Sequence, residues 1–250
     1  MLVAALYDIH ANLPALDAVL REIAALKVDR IVIGGDVLPG PMPRETVSRL
    51  LELDCPADFI QGNGEVAVLE CVAGRIPRGV PAPYQPALAW VAGEISHPQV
   101  RSIINWPKTL RFSLEGLGDV LFCHATPRDQ DECFTESTEE EVLRPIFAAA
   151  KANLVVCGHT HMQFERTIGT TRVANAGSVG MPFGEPGADW LLLKGAELEF
   201  RHTCYDLEEA AERVRHTSYP GAEEFAARSI LAPPTKQEML KAFARAGIKK

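Results

Sequence analysis

Apolar runs that alternate with helical periodicity constrain the fold of this chain more than any other feature of its sequence. The first run, MLVAALYD, is apolar almost throughout, as expected of a strand that is buried on both faces. It is followed by a helical repeat of apolar residues at Leu13, Leu16, Val19, Leu20, Ile23 and Leu26. Two further strands, RIVIGGD and ADFIQGN, flank a second helical segment, PRETVSRLLEL. Strand–helix–strand units of this kind predict a parallel sheet covered by helices, and therefore an α/β fold.

The remainder of the chain is predicted to contain shorter elements. A Pro-rich loop (75–86) and one or two short helices (87–105) precede a hairpin in TLRFSLEGLGDVLFC, and a further helix precedes the apolar strand NLVVC. Short strands with Gly-rich turns between residues 163 and 203 predict a second, largely antiparallel sheet. The end is helical, with N-caps predicted at Asp206 and Thr235. Because no repeat or linker divides the chain, we predict a single domain over residues 1–250, with helices in 206–250 packed on it.

Charge and cysteine usage exclude several classes of partner. The chain carries 25 basic and 33 acidic residues, a net charge of -8, which disfavours nucleic acid as a partner. No apolar run approaches the ~20 residues that a membrane span needs, and no signal peptide is recognisable. The six cysteines are scattered without a C-x-x-C pair, which predicts a reduced, cytoplasmic protein. The sequence leaves a homo-oligomer open.

Polar side chains follow the apolar strands at the point where each strand ends. Because the carboxyl ends of parallel strands in an open sheet face one crevice, these side chains are predicted to converge there. They are Asp8, His10, Asp36, Asn63, His124, His159 and His161. Each one alone has an ordinary explanation as a turn, a cap or a core histidine. Together they predict a metal site.

The donor chemistry of this set indicates two metal ions. Carboxylate, imidazole and amide donors without a thiolate suit Mn, Fe, Ni, Co or Zn, and we expect Mn. Seven donors are too many for one tetrahedral ion, but they suit two ions that share a carboxylate. Two metals ~3.5–4 Å apart form a clamp for phosphoryl-group hydrolysis, with a hydroxide held between them.

The order of these motifs resembles the calcineurin-like metallophosphoesterase superfamily. The resemblance covers residues 1–161, and NAGSVGMPFGEPGADW (175–190) is similar to its small bacterial and archaeal phosphodiesterase-like branch. It implies a four-layer fold, in which a β-sandwich of two mixed sheets is flanked by helices. It also implies that Asp36 bridges the two ions. The remaining ligands would be Asp8, His10 and His161 for the first metal, and Asn63, His124 and His159 for the second.

The stretch IQGNGEV departs from the family pattern. In most relatives a histidine follows the metal-ligand asparagine and helps to protonate the leaving oxygen, but this chain has Gly64 there, followed by Glu65. General acid–base help contributes typically ~10²–10⁴-fold in rate. Because this group is missing, we predict faster hydrolysis of aryl esters than of alkyl esters. As members of the metal-ligand set, Asp36 and Asn63 are predicted to have a catalytic role. Glu65 is expected to orient a histidine introduced at position 64.

Other polar residues are weaker candidates for the site. Arg128 is predicted either to bind the substrate phosphate or to form a surface ion pair with Asp129 or Asp131. Asn12 is predicted to cap the first helix. The histidines outside the strand-end loops are predicted to have surface or capping roles: His97, His202 and His216.

The sequence thus predicts an enzyme, a metal-dependent phosphoesterase acting on phosphodiesters or activated phosphomonoesters. Its partner would be a phosphate-ester small molecule or a nucleotide. The alternative is a metal-retaining binding or scaffold protein with weak or no catalysis, for which the lost histidine argues. Neither a P-loop motif nor a G-x-G-x-x-G fingerprint follows a strand, which disfavours those nucleotide-binding folds.

Overall fold

The structure is a computed structural model that describes residues 1–248, in which two stacked sheets lie between layers of helices. The strands are β1 (Leu2–Leu6), β2 (Arg30–Ile33), β3 (Ala57–Phe59), β4 (Thr109–Leu114), β5 (Gly118–Cys123), β6 (Leu154–Cys157), β7 (Phe164–Ile168), β8 (Thr171–Asn175), β9 (Ala188–Lys194) and β10 (Glu197–Thr203). The helices are α1 (Leu13–Leu26), α2 (Pro43–Leu51), α3 (Asn63–Val72), α4 (Gln85–Glu94), α5 (His97–Ile104), α6 (Glu140–Ala150), α7 (Leu207–Arg215), α8 (Ala222–Phe225) and α9 (Lys236–Ala246).

The layers follow from the alternation of side chains along buried strands. In β1, Ala4 and Leu6 point into a core shared with helices α1 to α5, whereas Val3 and Ala5 point into a core between the two sheets. In β6, Val155 faces a third core, which α6 covers. The order of layers is therefore helices, sheet, sheet and helix, which confirms the predicted β-sandwich of mixed sheets flanked by helices.

The sheet order corrects one expectation. The strands between residues 163 and 203 do not form a sheet of their own, because they are divided between the two sheets. The first sheet has the order β10-β9-β1-β2-β3, and the second has the order β4-β5-β6-β8-β7. β9 pairs antiparallel with the distant β1, with Leu2 opposite Lys194, while β8 pairs parallel with β6. Short strands with turn signals reveal hairpins, but they do not reveal which distant strand each hairpin joins.

The predicted capping residues are confirmed at several helix starts. Asn12 caps α1 by accepting a hydrogen bond from the Ala15 backbone N–H at 3.3 Å, and Asp206 caps α7 in the same way. Thr235 and Glu238 form a capping box at the start of α9. Helix α3 begins at Asn63, directly after Gly62.

The segment after β10 packs on the rest of the molecule through a small apolar cluster. Ala211 and Val214 of α7 and Ile230, in a π-helical turn that continues α8, are buried against Met42 of the loop before α2. The assignment of residues 1–250 to one domain stays a prediction, and its last two residues lie outside the described part. Within residues 1–248, none of the helices combines the length and apolar character that a membrane crossing requires.

Candidate metal centre

The strand-end side chains lie in two groups at one edge of the sandwich. Asp8, His10 and His161, called the first triad, have ligand atoms within 4.8 Å of one another. Asp36, His124 and His159, the second triad, meet the same distance limit. The donors follow β1, β2 and β3 of one sheet and β5 and β6 of the other, so the predicted crevice is formed by two sheets and not by one.

Asn63 completes the second triad. Its Oδ1 lies 3.0 Å from His124 Nε2. The side chain stands at the first residue of α3, shortly after β3 and directly after Gly62. All seven side chains predicted as metal donors are therefore brought together.

The backbone at these positions is held in an uncommon conformation. Five of the predicted donors have positive φ angles, which residues other than glycine rarely adopt. They are Asp8 at 53°, His10 at 46°, Asp36 at 50°, His159 at 67° and His161 at 54°. Such left-handed conformations cost on the order of 1–3 kcal/mol each for a residue with a side chain, and they collect at functional sites. The recurrence of this conformation among the donors is typical of a functional site.

Backbone hydrogen bonds hold the first two loops in this conformation. The N–H of His10 donates to the Asp36 carbonyl at 2.9 Å, and the N–H of Asp8 donates to the Gly35 carbonyl at 3.1 Å. The loop after β1 is thus fixed to the loop after β2, which places Asp8 and Asp36 side by side.

The imidazole rings are oriented so that their Nε2 atoms face inward. Nδ1 lies against a backbone carbonyl in three rings: 3.2 Å from Pro39 for His10, 3.0 Å from Gly34 for His124 and 2.8 Å from Met181 for His161. A proton on Nδ1 leaves a lone pair on Nε2, which is the arrangement common to metal-ligating histidines. The Nε2 atoms of His10 and His161 are 3.2 Å apart, so their lone pairs face each other across a gap that suits a cation.

Asp8 provides a direct test of whether a cation fits this gap. Its side chain is fully buried, and Oδ1 has no hydrogen-bond partner within the described part of the chain. The other oxygen, Oδ2, accepts the His159 N–H at 2.7 Å. Oδ1 lies 3.4 Å from His161 Nε2 and 3.8 Å from His124 Nε2. A buried carboxylate oxygen without a donor is costly unless a cation binds it, so the residues fit a divalent ion.

Asp36 lies between the two triads. Its Oδ2 is 3.9 Å from His10 Nε2 in the first triad, and its Oδ1 is 3.4 Å from His124 Nε2 in the second. Oδ1 also accepts the Gly64 N–H at 2.7 Å. Burial raises the pKa of Asp36, but His124 and the neighbouring histidines outweigh it and hold the pKa well below its usual range. The carboxylate is therefore ionised and reaches both triads.

The two carboxylates set the electrostatics of the second triad. Although burial lowers it, Asp36 and Asp8 raise the pKa of His124 to about 10. Burial, together with the charge of His124, lowers the pKa of His159 to about 4. The negative charge of the two carboxylates that raises the pKa of His124 would equally attract a divalent ion.

Glu65 has a different role from the one expected. It is fully buried, and its carboxylate accepts three backbone N–H groups, from Asp36 at 2.8 Å, Leu38 at 2.9 Å and Gly62 at 2.7 Å. Burial and the charge of Asp36 raise the pKa of Glu65 to about 7. Glu65 thus connects the loop after β2 to the start of α3, and three backbone N–H groups already occupy its carboxylate.

The space around Gly64 is closed. Gly64 has helical backbone within α3, so its conformation alone would accept a side chain. A Cβ atom there, however, would lie 2.0 Å from the Leu38 carbonyl oxygen and 2.9 Å from Asp36 Oδ1. The backbone of the neighbouring loop occupies the space into which a side chain at this position would project, which the sequence did not indicate.

A cleft of about 380 Å³ opens beside the second triad. Its lining includes Asn63 and His124 together with the cations Arg78, Lys108 and Arg128. The surface ion pair considered for Arg128 is present with an unexpected partner, because Nε lies 3.1 Å from each carboxylate oxygen of Glu132. Since Arg128 is ion-paired and also lines the cleft, its role in substrate binding stays a prediction.

Sequence reasoning missed several residues around the centre. The Cys133 Sγ lies 3.4 Å from His159 Nε2, and the Phe183 ring stacks on His161 with centroids 5.1 Å apart. Cys133 stands alone in its loop, so no spacing pattern marked it. Phe183 lies within the NAGSVGMPFGEPG stretch that carried the family resemblance, as does Met181, and that stretch was the available signal.

The histidines outside the strand-end loops belong to neither triad. His97 is the first residue of α5, His216 follows the last residue of α7, and His202 lies in β10 with Nδ1 2.7 Å from Asp189 Oδ1.

Comparison with known proteins extends these observations. Residues 1–196 match the model of the calcineurin-like phosphoesterase superfamily domain. The uncharacterized protein MJ0912 of Methanocaldococcus jannaschii is 25% identical, over 88% of this chain and 94% of the relative.

Two solved structures share the fold over most of their length. The hypothetical protein PH1004 of Pyrococcus horikoshii OT3 superposes with a TM-score of 0.79 at 19% identity, covering 94% of this chain and 99% of that one. A metallophosphoesterase from Sphaerobacter thermophilus gives a TM-score of 0.70 at 22% identity, over 91% and 97% of the two chains. These similarities include the segment after residue 196.

Proposed function

Because the chain belongs to the calcineurin-like phosphoesterase superfamily, we propose that it is an enzyme that hydrolyses phosphodiesters or activated phosphomonoesters with two divalent metal ions. The observation that carries this proposal is the pair of triads with Asp36 between them and with the buried, unpartnered Oδ1 of Asp8 beside them. The substrate would be a phosphate-ester small molecule or a nucleotide. A cytoplasmic location and a homo-oligomer stay predictions.

The residues of the two triads would hold the ions, and Asn63 would add an oxygen donor to the second. Divalent ions at these positions would neutralise the phosphate oxygens and lower the pKa of a water nucleophile. The nitrogen and oxygen donors favour Mn, with Fe, Ni, Co or Zn as alternatives.

The chain's own residues position the donors. The Pro39, Gly34 and Met181 carbonyls fix three imidazole rings, and Glu65 fixes the loop that carries Asp36. Such preorganisation removes the need for the donors to rearrange when charge develops on the phosphate. At position 64 no side chain donates a proton to the leaving oxygen, so a substrate whose leaving group departs as a stable anion is favoured.

The proposal is tested by measuring metal content and hydrolysis together. Protein reconstituted with Mn²⁺ should contain about two ions per chain and should hydrolyse bis(p-nitrophenyl) phosphate, and removal of the ions with a chelator should abolish turnover. Protein that binds two ions but cleaves no member of a panel of mono- and diesters would favour the metal-retaining scaffold. Protein that binds no more than trace metal would contradict both functions.

A further inference from the structure

The loop between β8 and β9 reaches back to the first triad and holds His161 through three contacts. The Phe183 ring stacks on the His161 imidazole, with centroids 5.1 Å apart and an angle of 18° between the two planes. The backbone N–H of Phe183 donates to the His161 carbonyl at 3.3 Å. Nδ1 of His161 lies 2.8 Å from the Met181 carbonyl. The loop therefore fixes the main chain at His161 as well as the rotation and the plane of its ring.

The ring of Phe183 is in turn supported by helix α9. Its centroid lies 6.2 Å from that of Phe243, and the two planes are tilted by 47°. The neighbouring Gly184 N–H donates to the Pro234 carbonyl, just before α9, at 2.9 Å. Both phenylalanine rings are half-buried. His161 is thus connected to α9 through one aromatic side chain and the loop that carries it.

The position of α9 is fixed by contacts with other parts of the molecule. Lys236, its first residue, forms an ion pair with Glu136 of the loop before α6, with Nζ 2.9 Å from Oε2. Ile248, after its end, packs against the core that α6 covers. The match to the family domain ends at residue 196, so α9 lies outside that domain. A helix outside the family domain therefore supports the loop that holds a metal donor.

Such support affects how a metal ion binds. A donor ring that already has its bound orientation need not reorient when the ion arrives, whereas a ring that turns freely loses conformational freedom on binding. Groups behind metal-ligating histidines fix the orientation of the ring, and their replacement typically costs ~10–100-fold in metal affinity. Phe183 complements the Met181 carbonyl, because it restricts the ring of His161 through its face and not through a hydrogen bond.

We propose that Phe183 is a positioning residue for His161, and that α9 sets the affinity of the first triad for its ion through Phe183. The inference rests on the proposed function, because it requires the first triad to bind a divalent ion. Among the described residues, the ring contact of the second triad is between His124 and His159 themselves, with centroids 5.2 Å apart. The two ions should therefore respond differently to a substitution of Phe183.

Titration of the metal-free full chain with Mn²⁺ tests this proposal. His10→Ala removes a donor of the first triad and identifies the binding step that belongs to it. In Phe183→Leu, which keeps an apolar side chain but removes the flat ring, the Kd of that step should rise about tenfold or more, while the other Kd stays as in the wild type. Phe183→Tyr keeps the ring and should retain the wild-type Kd. Phe243→Ala should raise the same Kd by a smaller factor.

Two variants serve as controls. Phe112→Leu removes a half-buried ring that packs edge-on against Phe122 in the core between the sheets. Gln237→Ala changes an exposed residue of α9. Both should leave the two Kd values unchanged, and thermal unfolding of each metal-free variant checks that it is folded.

A folded Phe183→Leu that binds both ions as the wild type does would overturn the proposal. Equal weakening of both ions would also overturn it, because that result indicates a general structural role. A wild type that binds no Mn²⁺ would overturn it together with the proposed function. Because the titration measures binding and not turnover, absence of hydrolysis in a protein that binds both ions contradicts the phosphoesterase function alone.

Discussion

The closed space around Gly64 restricts which residues can stand at this position, and therefore whether a proton donor can be introduced there. The position accepts no Cβ, because the Leu38 carbonyl oxygen would lie 2.0 Å away. We therefore expect Gly64→Ala to lower the free energy of unfolding by roughly 1–3 kcal/mol through overpacking. Gly64→His should lose at least as much stability, and it should not increase the hydrolysis of alkyl esters relative to aryl esters. Thermal unfolding and the ratio of kcat/KM values measure both effects.

A matched control lies in α4, where Gly93 has no atom within 4 Å of a Cβ and no positive φ. Gly93→Ala should be neutral or stabilise the protein by up to about 1 kcal/mol, as glycine is a poor helix former. A Gly64→His variant with the wild-type melting temperature and improved alkyl-ester cleavage would show that position 64 is not closed.

Substitution of Asp36 is expected to have a large effect on metal binding and on hydrolysis. Two unit charges ~4 Å apart repel by about 4 kcal/mol at an effective dielectric of 20, and divalent ions repel more strongly. Asp36→Asn removes the negative charge between the triads, so we expect the loss of at least one ion and of nearly all hydrolysis. Elemental analysis after reconstitution measures the first effect. The surface variant Asp17→Asn, which loses an ion pair with Arg49, should retain both ions. Full metal content and turnover in Asp36→Asn would show that Asp36 does not bridge.

At the scale of elements, the Glu65 carboxylate connects α3 to the loop after β2. Glu65→Gln keeps the size of the side chain but leaves one oxygen to accept three backbone N–H groups, so the Leu38 N–H or its neighbours lose an acceptor. We expect a loss of roughly 1–3 kcal/mol in unfolding free energy and a weaker affinity for the second ion. Denaturant unfolding and metal titration provide the measurements.

Glu238 serves as the comparison, because it has the corresponding capping-box position in α9 but is exposed to solvent. Water replaces a lost acceptor there, so Glu238→Gln should change stability far less than Glu65→Gln. Equal effects of the two substitutions would mean that burial does not determine the role of Glu65.

Features that depend on residues close together in the sequence could be predicted, whereas features that depend on residues far apart in the sequence could not. The bounds of α1 and its cap at Asn12 depend on residues within one helical turn, and both were predictable. The grouping of the donors within each sheet was predictable because parallel strands align their carboxyl ends, whereas the meeting of the two sheets at one site has no local signal in the sequence. The partner of β9 depends on β1 at the other end of the chain, and the obstruction at Gly64 depends on a carbonyl of another loop. Neither leaves a local pattern.

For the whole molecule, the ion pair of His202 with Asp189 gives a pH dependence of stability. Its hydrogen bond to Asp189 raises the pKa of His202, although burial opposes this rise. Burial outweighs the same bond at Asp189 and raises the pKa of that carboxyl as well, so the comparison belongs at pH values at which Asp189 is ionised. A histidine with a raised folded-state pKa stabilises fully below its unfolded pKa of about 6.5, and this contribution is lost as pH rises through the folded pKa.

We therefore expect His202→Asn to lower the melting temperature near pH 6 and to have a smaller effect near pH 9, as measured by thermal unfolding across that range. His216→Asn is the control, because its ring is 74% exposed and its substitution should change the melting temperature little. A destabilisation by His202→Asn that grows as pH rises would contradict a stabilising role for the protonated imidazole.

The central place of β1 in its sheet has a consequence for synthesis on the ribosome. β1 lies between β2, which is translated soon afterwards, and β9, which is translated only at residues 188–194. By that time the last predicted metal donor, His161, has already been added to the growing chain. A nascent chain therefore carries the complete donor set while one edge of β1 still lacks its neighbour. Unpaired strand edges favour association with other chains, so that edge is the surface a chaperone at the exit tunnel would have to shield.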